Sequence, residues 1–231
     1  MIRLENAVKS FDGKTVLKNI NINVEAGTIF GLLGPSGAGK TTIINILTDE
    51  INLDDGNKEV LAAPHEIGIM LDHFGIYEQL TCLENLEFYQ ELHDLEKNTA
   101  QEILKAVGLA GEEKKSFSTL SRGMQQRIAL ARAIIHRPKL IFLDEPTNAL
   151  DPRTKRDICR LLMRLKEDGA TIFLTTHDMH EALNLCDTVG LLHNGEIIEV
   201  GAPASMCEKY GATKTTYDLE AVFLQLTGEE L

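Results

Sequence analysis

A glycine-rich stretch at residues 34–42 constrains the fold of this chain more than any other segment. It fits the pattern G-x-x-x-x-G-K-[ST], in which glycines let the backbone turn tightly and direct its N–H groups toward a phosphate. The segment before it, 29–33, is short and apolar like a buried strand, and the apolar residues after it recur at helical spacing. A glycine-rich turn between a strand and a helix predicts a phosphate-binding loop.

The whole loop is predicted to bind phosphate. Its residues are Gly34, Pro35, Ser36, Gly37, Ala38, Gly39, Lys40, Thr41 and Thr42. Lys40 is expected to reach the β- and γ-phosphates, and the hydroxyl of Thr41 is expected to bind Mg²⁺. The start of the helix adds a partial positive charge for phosphate oxygens. The alternative is an ordinary glycine-rich connection with a chance lysine, which leaves the two correct flanks unexplained.

Charge and cysteine content disfavour several classes of protein. The 231 residues include 23 Lys plus Arg against 35 Asp plus Glu, a formal net charge of −12. Such a surface repels nucleic-acid phosphates, so no nucleic-acid partner is expected. Four separated cysteines without a C-x-x-C pair predict free, mostly buried thiols in a reducing compartment. No stretch approaches the roughly 18 apolar residues of a membrane span, so we expect a cytoplasmic chain whose membrane role requires a partner.

The rest of the pattern predicts an α/β fold with a helical insertion. Strands are expected near 2–8, 16–24 and 67–71, whereas 48–58 has the composition of a polar connection. Apolar residues at helical spacing from about 81 to 136 predict a helical block inserted between two strands of a sheet.

A second helix start inside that insertion has the chemistry to bind an anion. Ser121 is a good N-cap for a helix that runs to Ala133. Its hydroxyl, together with the backbone N–H groups that follow, forms an anion-binding helix start. On local chemistry alone, Ser121 serves equally well to cap only its own helix, so both interpretations stay open here.

Two carboxylates end a strongly apolar strand. The four residues 140–143 are all apolar, which is typical of a parallel strand buried on both faces, and Asp144 and Glu145 follow directly. Ligands of open α/β sheets bind at the carboxyl ends of the strands. Asp144 can hold Mg²⁺ or its water shell, and Glu145 can polarise an attacking water. The alternative, a pair of solvated turn residues, is disfavoured by the phosphate loop in the same chain.

Three more candidates lie at the ends of predicted elements. Asp151 is expected to cap a helix that begins with proline. His177 follows another buried strand and is expected to face a phosphate, because a metal pair with His180 lacks obvious further ligands. Phe11 precedes an Asp-Gly turn and can stack on a purine ring, although a phenylalanine at a strand end more often belongs to the core or its rim.

The order of these motifs resembles the ATP-binding subunits of ABC transporters. Between the phosphate loop and an apolar strand ending in Asp-Glu-Pro lies Leu-Ser-x-Gly-x-Gln-Gln-Arg at 120–127, and Ala-Leu-Asp and Thr-His follow. The resemblance covers essentially the whole chain. It implies a P-loop NTPase of the α/β class. A RecA-like core with an N-terminal antiparallel β-subdomain would occupy 1–72 and 137–231, and an inserted α-helical subdomain that carries the 120–127 segment would occupy 73–136.

The resemblance also implies roles within one chain. Phe11 would stack on adenine, and residues 34–42 would bind the triphosphate of ATP. Asp144 would serve Mg²⁺, Glu145 would be the general base, and His177 would contact the γ-phosphate. The implied cofactors are therefore ATP and Mg²⁺.

Other implied roles require a second chain. Ser121 and Gly123 would reach the ATP held by the opposite subunit, and Asp151 would lie at the interface of a head-to-tail dimer. ATP binding would close the dimer, and hydrolysis would open it. This cycle would drive transmembrane subunits at the inner face of the cell membrane.

Three departures from the family pattern stand beside these residues. Asp72 replaces a usual glutamine at the end of the strand before the insertion, where it can still face Mg²⁺, and a glutamate occurs here in a subgroup that resembles lantibiotic-immunity exporters. Arg122 replaces the first of two usual glycines, while Gly123 retains the second. Only 31 residues separate Lys40 from Asp72, which suggests a trimmed β-hairpin region.

The C-terminal segment favours one transport direction. Residues 219–228 resemble the corresponding segment of drug- and antibiotic-export ATPases, and together with Asp72 they favour export of a drug or antimicrobial peptide. One alternative is a soluble ABC-type ATPase acting on ribosomes or DNA, but such proteins usually carry two cassettes or a long coiled coil. Another is a small-molecule kinase that shares only the phosphate loop, which leaves 121–127 and His177 unexplained.

Overall fold

The computed structural model describes residues 1–71, 75–210 and 218–228. Its strands are β1 (Ile2–Phe11), β2 (Lys14–Val24), β3 (Ile29–Leu33), β4 (Asp55–Val60), β5 (Ile67–Met70), β6 (Leu140–Asp144), β7 (Thr171–Thr176), β8 (Thr188–His193) and β9 (Glu196–Gly201). Its helices are α1 (Lys40–Leu47), α2 (Cys82–Leu92), α3 (Thr99–Ala106), α4 (Arg122–Ile134), α5 (Pro152–Glu167), α6 (Met179–Leu185), α7 (Pro203–Lys209) and α8 (Leu219–Thr227). None of these described helices has both the length and the hydropathy needed to cross a membrane.

The chain divides into two compact units. The first consists of residues 1–61 and 173–231, and the second of residues 62–172. In the first unit, β1 pairs antiparallel with both β2 and β4, which gives a three-stranded sheet in the order β2-β1-β4. Also in this unit, β3 pairs in parallel with β8, and β8 pairs antiparallel with β9. The antiparallel β-structure expected near the N-terminus is therefore present.

The turn between β8 and β9 follows from its Asn-Gly sequence. Asn194 and Gly195 have φ angles of 48° and 78°, so both adopt the left-handed conformation that a tight hairpin turn requires. A side chain at Gly195 would also place a Cβ atom 2.1 Å from the carbonyl oxygen of Val16. Glycine is therefore required here both for its conformation and for the close approach of β2.

The second unit contains a parallel strand pair and the helical block. β5 pairs with β6 in continuous register from Ile67 opposite Leu140 to Met70 opposite Leu143. Residues 140–143 of β6 are fully buried, as the run of apolar residues predicts. Helix α2 begins with a capping box, in which the Thr81 hydroxyl accepts from the Glu84 N–H at 3.2 Å and the Glu84 carboxylate accepts from the Thr81 N–H at 2.8 Å.

One segment of the fold differs from the sequence prediction. The polar composition of 48–58 predicts a connection, but Asp55–Val60 forms β4. Its residues alternate between half-buried and exposed, and its hydrogen bonds with β1 hold it as the outer strand of the three-stranded sheet. Edge strands tolerate charged residues, and such residues make the strand difficult to recognise from the sequence.

The cysteine prediction is confirmed for all four positions. Cys82, Cys186 and Cys207 are buried, Cys159 is half-buried, and all four are free thiols. Burial raises the pKa of the Cys82 and Cys207 thiols, which keeps them protonated and unreactive at neutral pH.

Candidate functional site

The glycine-rich loop joins β3 to α1 in the first unit, as the sequence predicts. Gly39 is the N-cap of α1 and has a φ of 112°, and Gly37 has a φ of 82°, both in the region that favours glycine. No side chain caps the helix, and its first turn contains no acidic residue. The positive end of α1 is therefore not neutralised by the residues that begin it.

Close approach of the chain also dictates a glycine at the start of the loop. A Cβ atom at Gly34 would lie 2.2 Å from the carbonyl oxygen of Leu192, the penultimate residue of β8. That oxygen belongs to the backbone of a paired strand, so it cannot move aside as a flexible side chain would. The parallel pairing of β3 and β8 thus fixes where the loop begins.

Lys40 is folded into the loop. Its side chain is only 7% exposed, and Nζ donates to the carbonyl oxygens of Gly34 at 2.7 Å and Pro35 at 3.2 Å. These two carbonyls solvate a buried ammonium group that would otherwise be costly to place there. A phosphate is a stronger acceptor for the same ammonium, because hydrogen bonds between charged partners are shorter and stronger than those to neutral carbonyls.

His177 lies beside the phosphate loop. It follows β7, is exposed, and lines an open cavity of about 500 Å³ together with Gly34 and Pro35. The next residue, Asp178, caps α6 by accepting from the Glu181 N–H at 2.8 Å. This cap fixes the turn on which His177 stands. The structure therefore brings together two elements that are distant in the sequence, and contact of His177 with a γ-phosphate stays a prediction.

Phe11 ends β1 and is not part of the core. Its ring is 42% exposed, and the ammonium group of Lys9 lies 5.3 Å from the ring centroid. An exposed aromatic ring at this position is able to stack on a base, and stacking on adenine stays a prediction.

In the second unit, the peptide that carries the predicted general base has an unusual conformation. Asp144 ends β6, and Glu145 follows with a φ of 50°, which is uncommon for a residue other than glycine. The Glu145 carbonyl oxygen accepts from the side-chain amide of Gln126 and from the Asn148 N–H. Both carboxylate residues are half-buried. Backbone strain of this kind persists where surrounding bonds hold it, and it is common at active sites.

Ser121 caps α4 as predicted, but the cap is long. Its hydroxyl accepts from the Met124 N–H at 3.4 Å, and Ser121 itself is exposed. Gly123 packs closely on the segment that precedes α5, since a Cβ atom there would lie 3.2 Å from Leu150 Cδ2 and 3.3 Å from the Ala149 carbonyl oxygen. The structure thus places the 120–127 segment against residues 149 and 150.

Asp151 caps α5, which confirms the prediction from its Asp-Pro sequence. Its carboxylate accepts from the N–H groups of Arg153 at 3.0 Å and Thr154 at 3.1 Å, and from the Thr154 hydroxyl at 2.5 Å. These hydrogen bonds, chiefly the one from the Thr154 hydroxyl, hold the pKa of the Asp151 carboxyl below its usual value. A place for Asp151 at a dimer interface stays a prediction.

Two residues depart from the family pattern, and the structure describes only one of them. Asp72, predicted to face Mg²⁺, lies outside the described residues. Arg122 is exposed at the start of α4 and has no ion-pair partner in the described part of the chain.

Two side chains of the 120–127 motif for which the sequence predicted no individual role make hydrogen bonds at the site. One is Gln126, which donates to the Glu145 carbonyl. The other is Arg127, which donates to the Gly108 carbonyl at 2.7 Å and to the Gly123 carbonyl at 3.3 Å, and burial lowers the pKa of its guanidinium group. Their partners are backbone carbonyls, which carry no residue-specific signal in a sequence.

Comparison with protein families matches residues 17–148 to the family described as ABC transporter. Among curated proteins, the linearmycin resistance ATP-binding protein LnrL of Bacillus subtilis (strain 168) is 36% identical, over 91% of this chain and 72% of LnrL. The chain belongs to the ABC transporter family. It is an ABC ATPase and the ATP-binding subunit of a transporter.

Other relatives of the chain carry different transport names. The lantibiotic transport ATP-binding protein SrtF of Streptococcus pyogenes is 32% identical over 86% of this chain and 89% of SrtF. The spermidine/putrescine import ATP-binding protein PotA of Spiroplasma citri is 36% identical over 89% of this chain but only 63% of PotA. The chain therefore spans less than two thirds of the length of some relatives.

A solved structure supports the fold assignment. The dimeric post-hydrolysis state of the ATP-binding cassette MJ0796, bound to ADP and Pi, superposes with a TM-score of 0.78 at 30% identity. The match covers 87% of this chain and 98% of the cassette. The predicted P-loop NTPase fold is thereby confirmed.

Proposed function

We propose that this chain is the ATP-hydrolysing motor subunit of a membrane exporter for a drug or an antimicrobial peptide. LnrL is named for linearmycin resistance and SrtF for lantibiotic transport, which supports this substrate class. PotA is named for import at similar identity, so the names alone leave the direction undecided. The resemblance of residues 219–228 to export ATPases favours export.

One observation carries the nucleotide-binding part of the proposal. The helix that follows the phosphate loop has no side-chain cap, and the buried ammonium of Lys40 is held against the loop by the carbonyls of Gly34 and Pro35. An uncapped helix start and a buried cation both favour an anion at the same short loop. The triphosphate of ATP supplies that anion.

The second half of the proposed site comes from another chain. In a head-to-tail dimer, Ser121 and Gly123 of one subunit would meet the ATP bound to the phosphate loop of its partner. The exposed hydroxyl of Ser121 and its long bond to Met124 leave it able to donate to a phosphate oxygen. ATP would then hold the two subunits together until hydrolysis.

The two predicted Mg²⁺ ligands, each taken by itself, have the oxygen chemistry that the ion prefers. Thr41 offers a hydroxyl and Asp144 a carboxylate, and Mg²⁺ takes few protein oxygens because it retains water and phosphate ligands. Bound Mg²⁺ would neutralise charge on the β- and γ-phosphates. We propose that Glu145 orients the attacking water and accepts its proton, and that His177 contacts the γ-phosphate.

The proposal places the chain on the cytoplasmic face of a membrane through transmembrane partners. The test is affinity purification of the chain together with a polytopic membrane protein encoded beside it, followed by reconstitution in vesicles. We expect the two to co-purify, and we expect ATP hydrolysis to drive uptake of an antimicrobial peptide into inverted vesicles. ATP-dependent binding to ribosomes in the absence of a membrane partner would contradict the proposal and favour a soluble ABC-type ATPase.

A further inference from the structure

A basic cavity lies in the second unit, and its lining contains none of the predicted nucleotide-binding residues, although Arg127 and Arg153 in that lining donate hydrogen bonds to Gly123 and Asp151. It has a volume of about 490 Å³ and is lined by parts of α3, α4 and α5 and by the turn after α3. Five of its side chains are basic and one is acidic: Lys105, Arg127, Arg153, Arg160, Arg164 and Asp157. The chain as a whole carries a formal charge of −12, so this concentration of positive charge is local.

The helical repeat explains how α5 presents its basic side chains. Arg153, Arg160 and Arg164 are separated by seven and four residues, which places them on one face of the helix. Between them, Ile158 and Leu161 contribute apolar lining. One face of a single helix therefore supplies three guanidinium groups to the cavity.

Carboxylates neutralise part of this charge, since Asp157 pairs with Arg160, and Asp151 and Glu112 attract the Arg127 guanidinium group. Arg160 pairs with Asp157 at 3.2 Å, and Arg127 donates to backbone carbonyls after α3. Lys105, Arg153 and Arg164 have no carboxylate partner in the part of the chain that the structure describes. Like charges gathered in one concave surface repel one another, and a bound anion relieves that repulsion.

We propose that this cavity binds a small soluble anion that carries two or more phosphate groups. Guanidinium groups present paired N–H donors that match phosphate oxygens, so arginine is the preferred residue for such ligands. The cavity volume lies within the range of about 300 to 1,000 Å³ that is usual for small-molecule sites. Cations contributed by three different helices favour a ligand with more than one anionic group. The proposal does not depend on the assigned roles of the nucleotide-binding residues.

The probe is inorganic tripolyphosphate, titrated by calorimetry into the full chain carrying Lys40→Ala so that the phosphate loop does not compete. We expect saturable binding at one site. Adding Arg160→Ala and Arg164→Ala should weaken that binding at least about 10-fold, since each lost guanidinium removes charge-assisted hydrogen bonds. The matched control adds Arg156→Ala and Lys97→Ala, which lie outside the cavity lining and remove the same net charge. The control should bind within about 2-fold of the parent.

Three outcomes would overturn the proposal. The first is the absence of saturable binding, and the second is an equal loss of affinity in the cavity and control variants, which would indicate general electrostatic attraction. The third is binding to phosphatidylglycerol vesicles through Arg160 and Arg164 without binding of tripolyphosphate, which would assign the cavity to a lipid headgroup. Lys105→Ala with Arg153→Ala provides a second cavity variant if the first does not fold, as judged by thermal melting.

Discussion

The phosphate loop and the 120–127 segment both contain glycine and both include the start of a helix, yet they are built differently. The helix after the phosphate loop begins at Gly39 without a side-chain cap, and Lys40 is bonded to the loop itself. The helix in the 120–127 segment begins at Ser121, whose own hydroxyl caps it. The first helix start is left without a side-chain cap and holds a buried cation, both of which favour an anion, whereas the second already has the Ser121 hydroxyl as its cap.

This difference bears on how each turn acquires a function. The glycines of the phosphate loop are required by positive φ angles and by the approach of β8, so the loop has its shape before any ligand arrives. Gly123 has no positive φ angle, and a Cβ atom added there would have its nearest neighbours at 3.2 and 3.3 Å, a closer fit than usual but much less severe than the 2.2 Å at Gly34. Its importance, under the proposed function, comes from a second chain. Substitutions in the phosphate loop, in the 120–127 segment and at the general base test whether each site acts within one chain or through a second chain. They are given in order of decreasing expected effect.

The largest effect is expected from Glu145→Gln. Loss of the general base should slow ATP hydrolysis by about 10²- to 10⁴-fold while ATP binding is retained, so ATP should trap the dimer. Steady-state turnover and size-exclusion chromatography with ATP measure the two effects. Glu91→Gln, an exposed position on α2 in the same unit, is the control and should leave both unchanged. Normal turnover in the Glu145 variant would remove this residue from the general-base role.

Lys40→Ala tests whether the phosphate loop binds nucleotide without help from a second chain. Removing one charge-assisted contact should weaken ATP binding to the isolated chain by about 10- to 100-fold. Lys58→Ala is the matched control, because Lys58 donates to the Ile46 carbonyl at the other end of α1. Equilibrium titration with a fluorescent ATP analogue measures both. Equal affinities of the two variants would contradict the assignment of Lys40.

Paired glycine substitutions test the structural side of the comparison. Gly34→Ala should lower the free energy of unfolding by about 1 to 3 kcal/mol, because its Cβ atom meets a backbone oxygen that cannot move. Gly123→Ala should change it by less than about 1 kcal/mol, since alanine favours a helix and the neighbours need shift only slightly. Urea denaturation of the isolated chain measures both values. A larger loss at Gly123 would mean that its glycine serves packing and not a partner.

The smallest effect is expected from Ser121→Ala. Because the cap is long, its removal should cost about 0.5 kcal/mol, the low end for such caps. Thr81→Ala in the capping box of α2 should cost about 1 kcal/mol and leave hydrolysis unchanged. Thermal melting measures the capping role of each residue, and ATP turnover measures whether Ser121 also contacts the partner's ATP. If Ser121→Ala leaves hydrolysis at the level of the Thr81 variant, Ser121 is only a cap.

Features that depend on local residue types could be predicted from the sequence, whereas features that depend on pairing with a distant segment could not. The phosphate loop and the Ser121 and Asp151 helix caps were predicted from the sequence because their geometry requires particular residue types at fixed positions. Strand β4 was missed because Asp55–Val60 contains charged and turn-forming residues, and only its pairing with β1 makes it a strand.

The supporting contacts of the candidate site were not predictable in the same way. The bonds from Lys40 to the loop carbonyls and from Gln126 to the Glu145 carbonyl end on backbone oxygens, which every residue possesses. The left-handed backbone of Glu145 likewise has no signal in its residue type. Such features depend on which segments the fold brings together. The sequence therefore identifies the donor side chain but does not indicate which backbone carbonyl accepts its hydrogen bond.

The hydrogen bond from Gln126 links helix α4 to the peptide of the predicted general base. Gln126 lies in the second turn of α4, whose first turn is proposed to contact the partner's nucleotide, and it holds the peptide of Glu145. A hydrogen bond weakens steeply once its geometry is disturbed, so a small shift of α4 is felt at that peptide. When one nucleotide leaves, the chain that had contacted it should hold its own general base less firmly. A dimer with one empty site is therefore expected to hydrolyse its remaining ATP more slowly than a full one.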